Sequence, residues 1–219
     1  MFPPERILFI DGEALVIDKP AGLAVHPGPA TRRSLEDRLD ELRFGFRRRP
    51  APVHRLDRDT SGCLLLARNP KALKRFAAAF AAREVEKTYL AVLAGVPGAT
   101  AGRIELALAK VSTREEGWRM APRADGRPAA TRWELLAESG GRSLVRFRPE
   151  TGRTHQVRVH ATAGIGIAIA GDPVYGDGDG PMLLHARALR LRRAGKAAIE
   201  ATAPLPPAFV QAGFDDDGF

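Results

Sequence analysis

The 219-residue sequence has a single cysteine, Cys63, and therefore no internal disulfide. A reducing, cytoplasmic setting is the expectation that follows. Lysine is also scarce: Lys19, Lys71, Lys74, Lys87, Lys110 and Lys196 are the only six among 34 basic residues, and 28 are arginine. Tyrosine and tryptophan occur twice each. No stretch approaches the ~20 uninterrupted apolar residues of a membrane span. The opening MFPPERILFI lacks the basic-then-apolar layout of an export signal, so neither a spanning nor an exported protein is expected. Low-complexity linkers and fixed-period repeats are missing too, which excludes fibrous and disordered classes.

What is present is an ordinary globular balance, 44% hydrophobic and 27% charged, carrying a formal net charge of +8 and a pI near 10.3. Arginine pairs bidentately with phosphate, so a polyanion is a candidate partner, although biased codon usage explains the same excess. The length admits one large domain or two small ones. The pattern reads as one continuous domain over residues 1–210, with an acidic, frayed tail at 211–219.

The apolar runs ILFI (7–10) and ALVID (14–18) flank Asp11-Gly12, a turn pair, and read as strand-turn-strand. Ser34 followed by Leu35, Leu39 and Leu42, with Gly45 beyond them, predicts a helix over 34–44. FRRRPAP (46–52) reads as a loop. CLLLARN (63–69) has strand length, and Asn69-Pro70 opens a helix whose buried face is Leu73, Phe76 and Phe80. Strands are expected at 88–96, 103–109, 129–136 and 143–148, and the polar stretch 110–128 is expected to be a surface excursion between two of them. The economical architecture is α+β on a mixed sheet.

Two clusters concentrate polar chemistry. HRLDRDTSG (54–62) sets His54, Arg55, Asp57, Asp59, Thr60 and Ser61 ahead of a strand that must be largely buried. A polar loop satisfying its own backbone explains such a cluster. A nucleophilic carboxylate kept ionised by a neighbouring guanidinium explains it equally. PETGRTHQVRVH (149–160) groups Arg153, His155, Gln156, Arg158 and His160; Thr154 is a candidate helix cap, while Val157 and Val159 also fit a strand. Two histidines five positions apart with no cysteine are poor zinc spacing, so no metal is expected. Tyr89, in KTYLAVLAG, is the lone tyrosine before residue 175 and fits a core position; GDPVYG (171–176) and LLHARALRL (183–191) signal little by themselves.

Taken in order, LVIDKPAGLAVHPG (15–28), HRLDRDTSG, KTYLAVLAG (87–95), TGRTHQVRVH (151–160), GDPVYG and LLHA resemble the RluA-like family of RNA pseudouridine synthases, from about Asp11 to about Leu191. The resemblance implies an α+β catalytic fold with a mixed, largely antiparallel, curved sheet flanked by helices and loops around a central RNA-binding cleft. It implies isomerisation of uridine in structured RNA, transfer RNA and/or 23S-type ribosomal RNA, without a cofactor. By the same resemblance Asp57 is the nucleophile, Tyr89 stacks on the target ring, and Arg158 pairs with Asp57. Arg55 fills the space left by the flipped base, Arg153 and His155 face the RNA, Leu184 closes the pocket from below, and Thr60 belongs to the RNA-binding set.

The sequence departs from the family pattern at 164–172, where GIGIAIAGD carries Ala168 in place of a proline and the stretch from His160 to Gly171 is one residue longer. The opening strand near residue 7 leaves no room for the small RNA-binding domain that precedes many relatives' catalytic cores, and a monomer is expected. Two rivals stand beside this reading. A non-catalytic RNA-binding protein shows the same salt-dependent binding but no turnover. A hydrolase needs a metal set or a second carboxylate at a fixed distance, and Asp59 is only two residues from Asp57.

Overall fold

The computed structural model describes residues 2–28, 31, 33–113 and 117–215. In chain order the strands are β1 (Ile7–Ile10), β2 (Ala14–Lys19), β3 (Ala51–Pro52), β4 (Ser61–Ala67), β5 (Val85–Leu93), β6 (Ala101–Thr113), β7 (Gly117–Pro122), β8 (Arg127–Ser139), β9 (Arg142–Pro149), β10 (Leu184–Arg193) and β11 (Lys196–Thr202). The α-helices are few and mostly short: α1 (Pro70–Ala81), α2 (Gln156–Val159) and α3 (Pro207–Gln211). The architecture is α+β, as expected, and among the described residues no helix is long and apolar enough to cross a membrane.

Two compact units make up the chain, residues 1–87 with 186–204 and residues 88–185 with 205–219. In the first, the strand order is β1, β2, β4, β10, β11, with β3 on β4. The Asp11-Gly12 turn forms because Asp11 Oδ1 accepts the N–H groups of Glu13 and Ala14, each at 2.8 Å. All seven residues of β4 are buried: the strand lies between β2 and β10 in the sheet, and Cys63, Leu65 and Ala67 on one face share a core cluster with Ala72, Phe76 and Ala79 of α1. Asn69 caps α1 by accepting the Ala72 N–H at 2.8 Å, and Pro70 sits where its missing N–H is not needed. The α1 core face is Ala72, Phe76 and Ala79, with Leu73 and Phe80 only half-buried at its margin. Ser34 and Asp37 form a reciprocal capping box, but Leu35–Leu42 winds as a tighter 3₁₀ helix in place of the expected α-helix.

In the second unit the order is β5, β9, β8, β6, β7, and every pairing along it is antiparallel. The β5 strand covers 85–93, not 88–96, because its register with β9 ends at Leu93 and Ser143. The stretch 110–128 is not a polar excursion. Residues 110–113 continue β6, and β7 pairs back from Leu108 with Pro122 to Thr113 with Gly117. After α2 the chain widens into a π-helical turn, His160–Ile165, ended by Gly166 at φ 87°. Within the expected tail 211–219, Gln211 closes α3 and Phe214 is buried, while 216–219 lie outside the described residues.

Candidate functional site

In the first unit, residues 54–60 form an irregular turn leading into β4. Thr60 N–H closes it on the Asp57 carbonyl at 3.2 Å. His54 anchors one end: its Nε2 accepts the Leu65 N–H at 3.0 Å, and its ring stacks on Phe80 with centroids 4.5 Å apart. Burial, with the nearby Lys87 charge, pushes its pKa down to about 3, so the ring is neutral and remains an acceptor. Gly62 fixes the other end. Its φ is 106°, and a Cβ there would lie 2.3 Å from the Ala186 carbonyl oxygen, so only glycine fits.

The Asp57 carboxylate is half-buried on this turn, Arg55 is exposed beside it, and Thr60 is buried at 2% exposure. Arg58 and Asp59 pair with each other at 3.0 and 3.1 Å in an exposed fork. Under the turn lies Lys19, fully buried at the end of β2. Its Nζ donates to three carbonyls, Pro20 at 2.7 Å, Leu23 at 2.8 Å and Arg58 at 3.0 Å. Three acceptors match the three N–H groups of an ammonium. Burial pulls this pKa down to about 7 against the upward pull of Asp59, Asp57 and Asp18. Lys19 thus ties the opening LVIDKPAG segment to the 54–60 turn, a link over 39 residues that the sequence pattern does not reveal.

The second unit brings Tyr89, Arg153, His155, Arg158 and Leu184 onto elements around α2. Tyr89 is half-buried on β5 opposite Phe147, and Leu184, at 3% exposure, lies in the same apolar cluster. Thr154 does not cap α2. His155 occupies that position at φ 53°, in the left-handed region and with no side-chain cap. The local anchor is Gln156. Its Oε1 accepts from Thr151 Oγ1 at 2.7 Å and Arg153 N–H at 2.9 Å, and its Nε2 donates to the Ala130 carbonyl and Thr131 Oγ1, both at 2.9 Å. All four positions of the buried amide are used, so Gln156 clasps the motif to β8. Arg153 reaches the Pro128 carbonyl at 3.1 Å.

Arg158 is buried and forks onto Asp172, Nε to Oδ2 at 2.7 Å and Nη2 to Oδ1 at 2.6 Å. Asp172 Oδ1 also accepts the N–H groups of Val174 at 2.9 Å and Tyr175 at 3.1 Å. Burial alone would raise the Asp172 pKa; the Arg158 hydrogen bonds and charge, with the two N–H donors, hold it below its ordinary value. Gly171 is required before it, since φ is 71° and a Cβ would lie 2.3 Å from the Pro181 carbonyl oxygen. Asp172 was missed in the sequence. The available signal was a carboxylate set in the apolar run AIAGDPV, where it must find a cation.

Tyr175 extends the assembly outward. The Arg158 guanidinium lies 5.1 Å from its ring, its hydroxyl accepts the Met120 N–H at 2.9 Å, and it hydrogen-bonds His155 Nδ1 at 2.9 Å. Residues 13–163 match the family described as RNA pseudouridylate synthase. The chain is 54% identical over 214 residues to an uncharacterised RNA pseudouridine synthase of Zymomonas mobilis, covering 96% of this chain and 98% of that one. It is 36% identical over 182 residues to ribosomal large subunit pseudouridine synthase D of the same organism, covering 79% of this chain and spanning 56% of that longer relative. The structure is similar to human RNA pseudouridylate synthase domain containing 4 at a TM-score of 0.79 and 26% identity, covering 94% of this chain and 90% of that one.

Proposed function

Because the chain belongs to the RNA pseudouridylate synthase family, we propose that it isomerises uridine to pseudouridine in structured RNA with Asp57 as the nucleophile. The observation that carries the assignment of Asp57 is the built turn around it: a half-buried carboxylate fixed by the His54 anchor, the Gly62 approach and the Lys19 cage. A surface aspartate without a catalytic task needs no such scaffold. The C1′–N1 bond breaks, the ring turns, C1′ bonds to C5, the C5 proton leaves, and N1 takes a proton, so the reaction is balanced without a cofactor. The base must leave its stack for this chemistry.

In this reading Tyr89 lies against the target ring, and Arg158 is the catalytic cation. Arg55 fills the space the base vacates, Arg153 and His155 contact RNA, and the buried Thr60 and Leu184 shape the site. The protein acts in the cytoplasm as a monomer. The relative that acts on the ribosomal large subunit makes that RNA the first substrate to try, with transfer RNA second.

Tritium release from RNA labelled at uridine C5, on separate ribosomal and transfer RNA fractions, tests the proposal. Wild type releases tritium and Asp57→Asn does not, while the variant keeps its fold and most RNA affinity, since affinity resides mainly in phosphate contacts. Equal release by both proteins rejects Asp57 as nucleophile; no release from any RNA by a folded, RNA-binding wild type returns the chain to a non-catalytic role.

A further inference from the structure

The β6–β7 hairpin carries a tryptophan that the proposed chemistry does not use. Trp118 is 46% exposed on an edge strand, where natural sheets ordinarily place charge. The ring is nevertheless held. His155 lies against it with centroids 5.1 Å apart and planes tilted 30°, and His155 is itself fixed by the Tyr175 hydroxyl. That hydroxyl takes the N–H of Met120, two residues along the same strand as Trp118, so the hairpin and the His155 turn brace each other. A preorganised, solvent-open aromatic face is costly for a soluble surface and useful for recognition.

Charge defines the partner. The Lys110 ammonium lies 5.1 Å from the Trp118 ring, and within 110–128 the sequence sets five cations, Lys110, Arg114, Arg119, Arg123 and Arg127, against three anions, Glu115, Glu116 and Asp125. An aromatic face set among cations matches a nucleic acid strand with an unstacked base, which offers a π-face to the ring and a phosphate to the ammonium. Lysine is on a flexible stem, so an arriving base takes its place against the ring while the charge moves to the backbone.

We infer that Trp118, with Lys110 beside it, is a stacking platform for an unpaired base flanking the uridine to be modified. The inference rests on the synthase reading and deepens it by adding a substrate-selecting residue outside every motif that carries the family resemblance. Trp118 touches no reacting atom in this account. Its contribution is to affinity and to the choice of RNA.

Base stacking on one aromatic side chain is worth roughly 5- to 150-fold in affinity. On whichever RNA fraction the wild type turns over, Trp118→Ala raises the apparent KM about tenfold and leaves kcat within about twofold, while Trp118→Phe stays near wild type. Trp118→Leu keeps apolar packing on His155 without a π-face and behaves like the alanine variant, which separates stacking from loss of fold. Titration with oligouridylate gives a second readout, because tryptophan emission is quenched in the wild type and the quenching vanishes in Trp118→Phe, which retains Trp133. An unchanged KM in the alanine and leucine variants, or equal quenching in Trp118→Phe, overturns the inference. Absence of tritium release by the wild type defeats the synthase reading instead, and the quenching titration then tests the platform by itself.

Discussion

Lys19 in one unit and Arg158 in the other are buried cations neutralised by different chemistry. Lys19 is held by three neutral carbonyl dipoles, and its pKa falls to about 7. Arg158 is held by the formal charge of Asp172 in a two-bond fork, and the carboxyl pKa is held down in turn. The dipole cage therefore carries a charge that ordinary conditions can remove, whereas the cation of the ion pair does not lose its proton and its carboxylate is held ionised to lower pH than usual. The difference predicts which site fails abruptly and which fails by degrees.

Breaking the ion pair gives the largest effect. Asp172→Ala removes the carboxylate that takes two hydrogen bonds from the buried Arg158, and is expected to destabilise the protein by about 3–5 kcal/mol in urea unfolding. Asp172→Asn, which keeps the acceptor for the Val174 and Tyr175 N–H groups, should lose less. Equal losses in the two would show that the lost charge, and not the acceptor for the two N–H groups, sets the cost at this site. Lys19→Met keeps the stem and removes the donors, stranding three carbonyls at about 1 kcal/mol each, so a loss of about 2–3 kcal/mol is expected. Full stability in this variant would mean that the carbonyls are satisfied without the amine.

A graded effect, set by pH, is acid sensitivity at His160, which is fully buried with no hydrogen-bond partner for either ring nitrogen among the described residues. Burial pushes its pKa down to about 4. The unfolded chain takes up this proton near pH 6.5 and the folded chain only near 4, so the unfolded state binds more protons across that window and stability falls as pH drops through it. The expected loss across that window is up to about 3 kcal/mol. His54, pushed to about 3, adds a similar slope over a slightly wider window. His160→Phe should remove its share, so that the wild type and variant melting temperatures converge at pH 7 and diverge at pH 4.5; parallel curves would assign the acid response elsewhere.

Much of the scaffold was legible because its causes are local. The Asp11 turn, the Asn69 cap and the buried CLLLA run each depend on residues within a few positions of one another, and the structure builds all three as read. The β7 strand was not legible. It lies at the edge of its sheet, and Gly117–Pro122 (GWRMAP) has no fully buried residue and neither an apolar run nor an alternating pattern to mark it. Leu73 and Phe80 were taken for the buried face of α1 on size, but the space beside the helix accepts Ala72 and Ala79 more closely. At the site, Asp57 and Arg158 stood out in dense polar motifs, whereas Asp172 and Tyr175 gave only a weak pattern in GDPVYG.

By itself the sequence determined which residue types are available, where turns and caps must fall, and which ordered motifs mark the family, since these follow from backbone stereochemistry and short-range hydrogen bonding. Only the tertiary structure decided what each charge meets. Arg158 finds its anion 14 residues away, Lys19 receives a carbonyl from 39 residues away, and Trp118 rests on His155 across a strand the sequence did not disclose. Burial and distance set the strength of an electrostatic contact, and neither exists until the chain has folded.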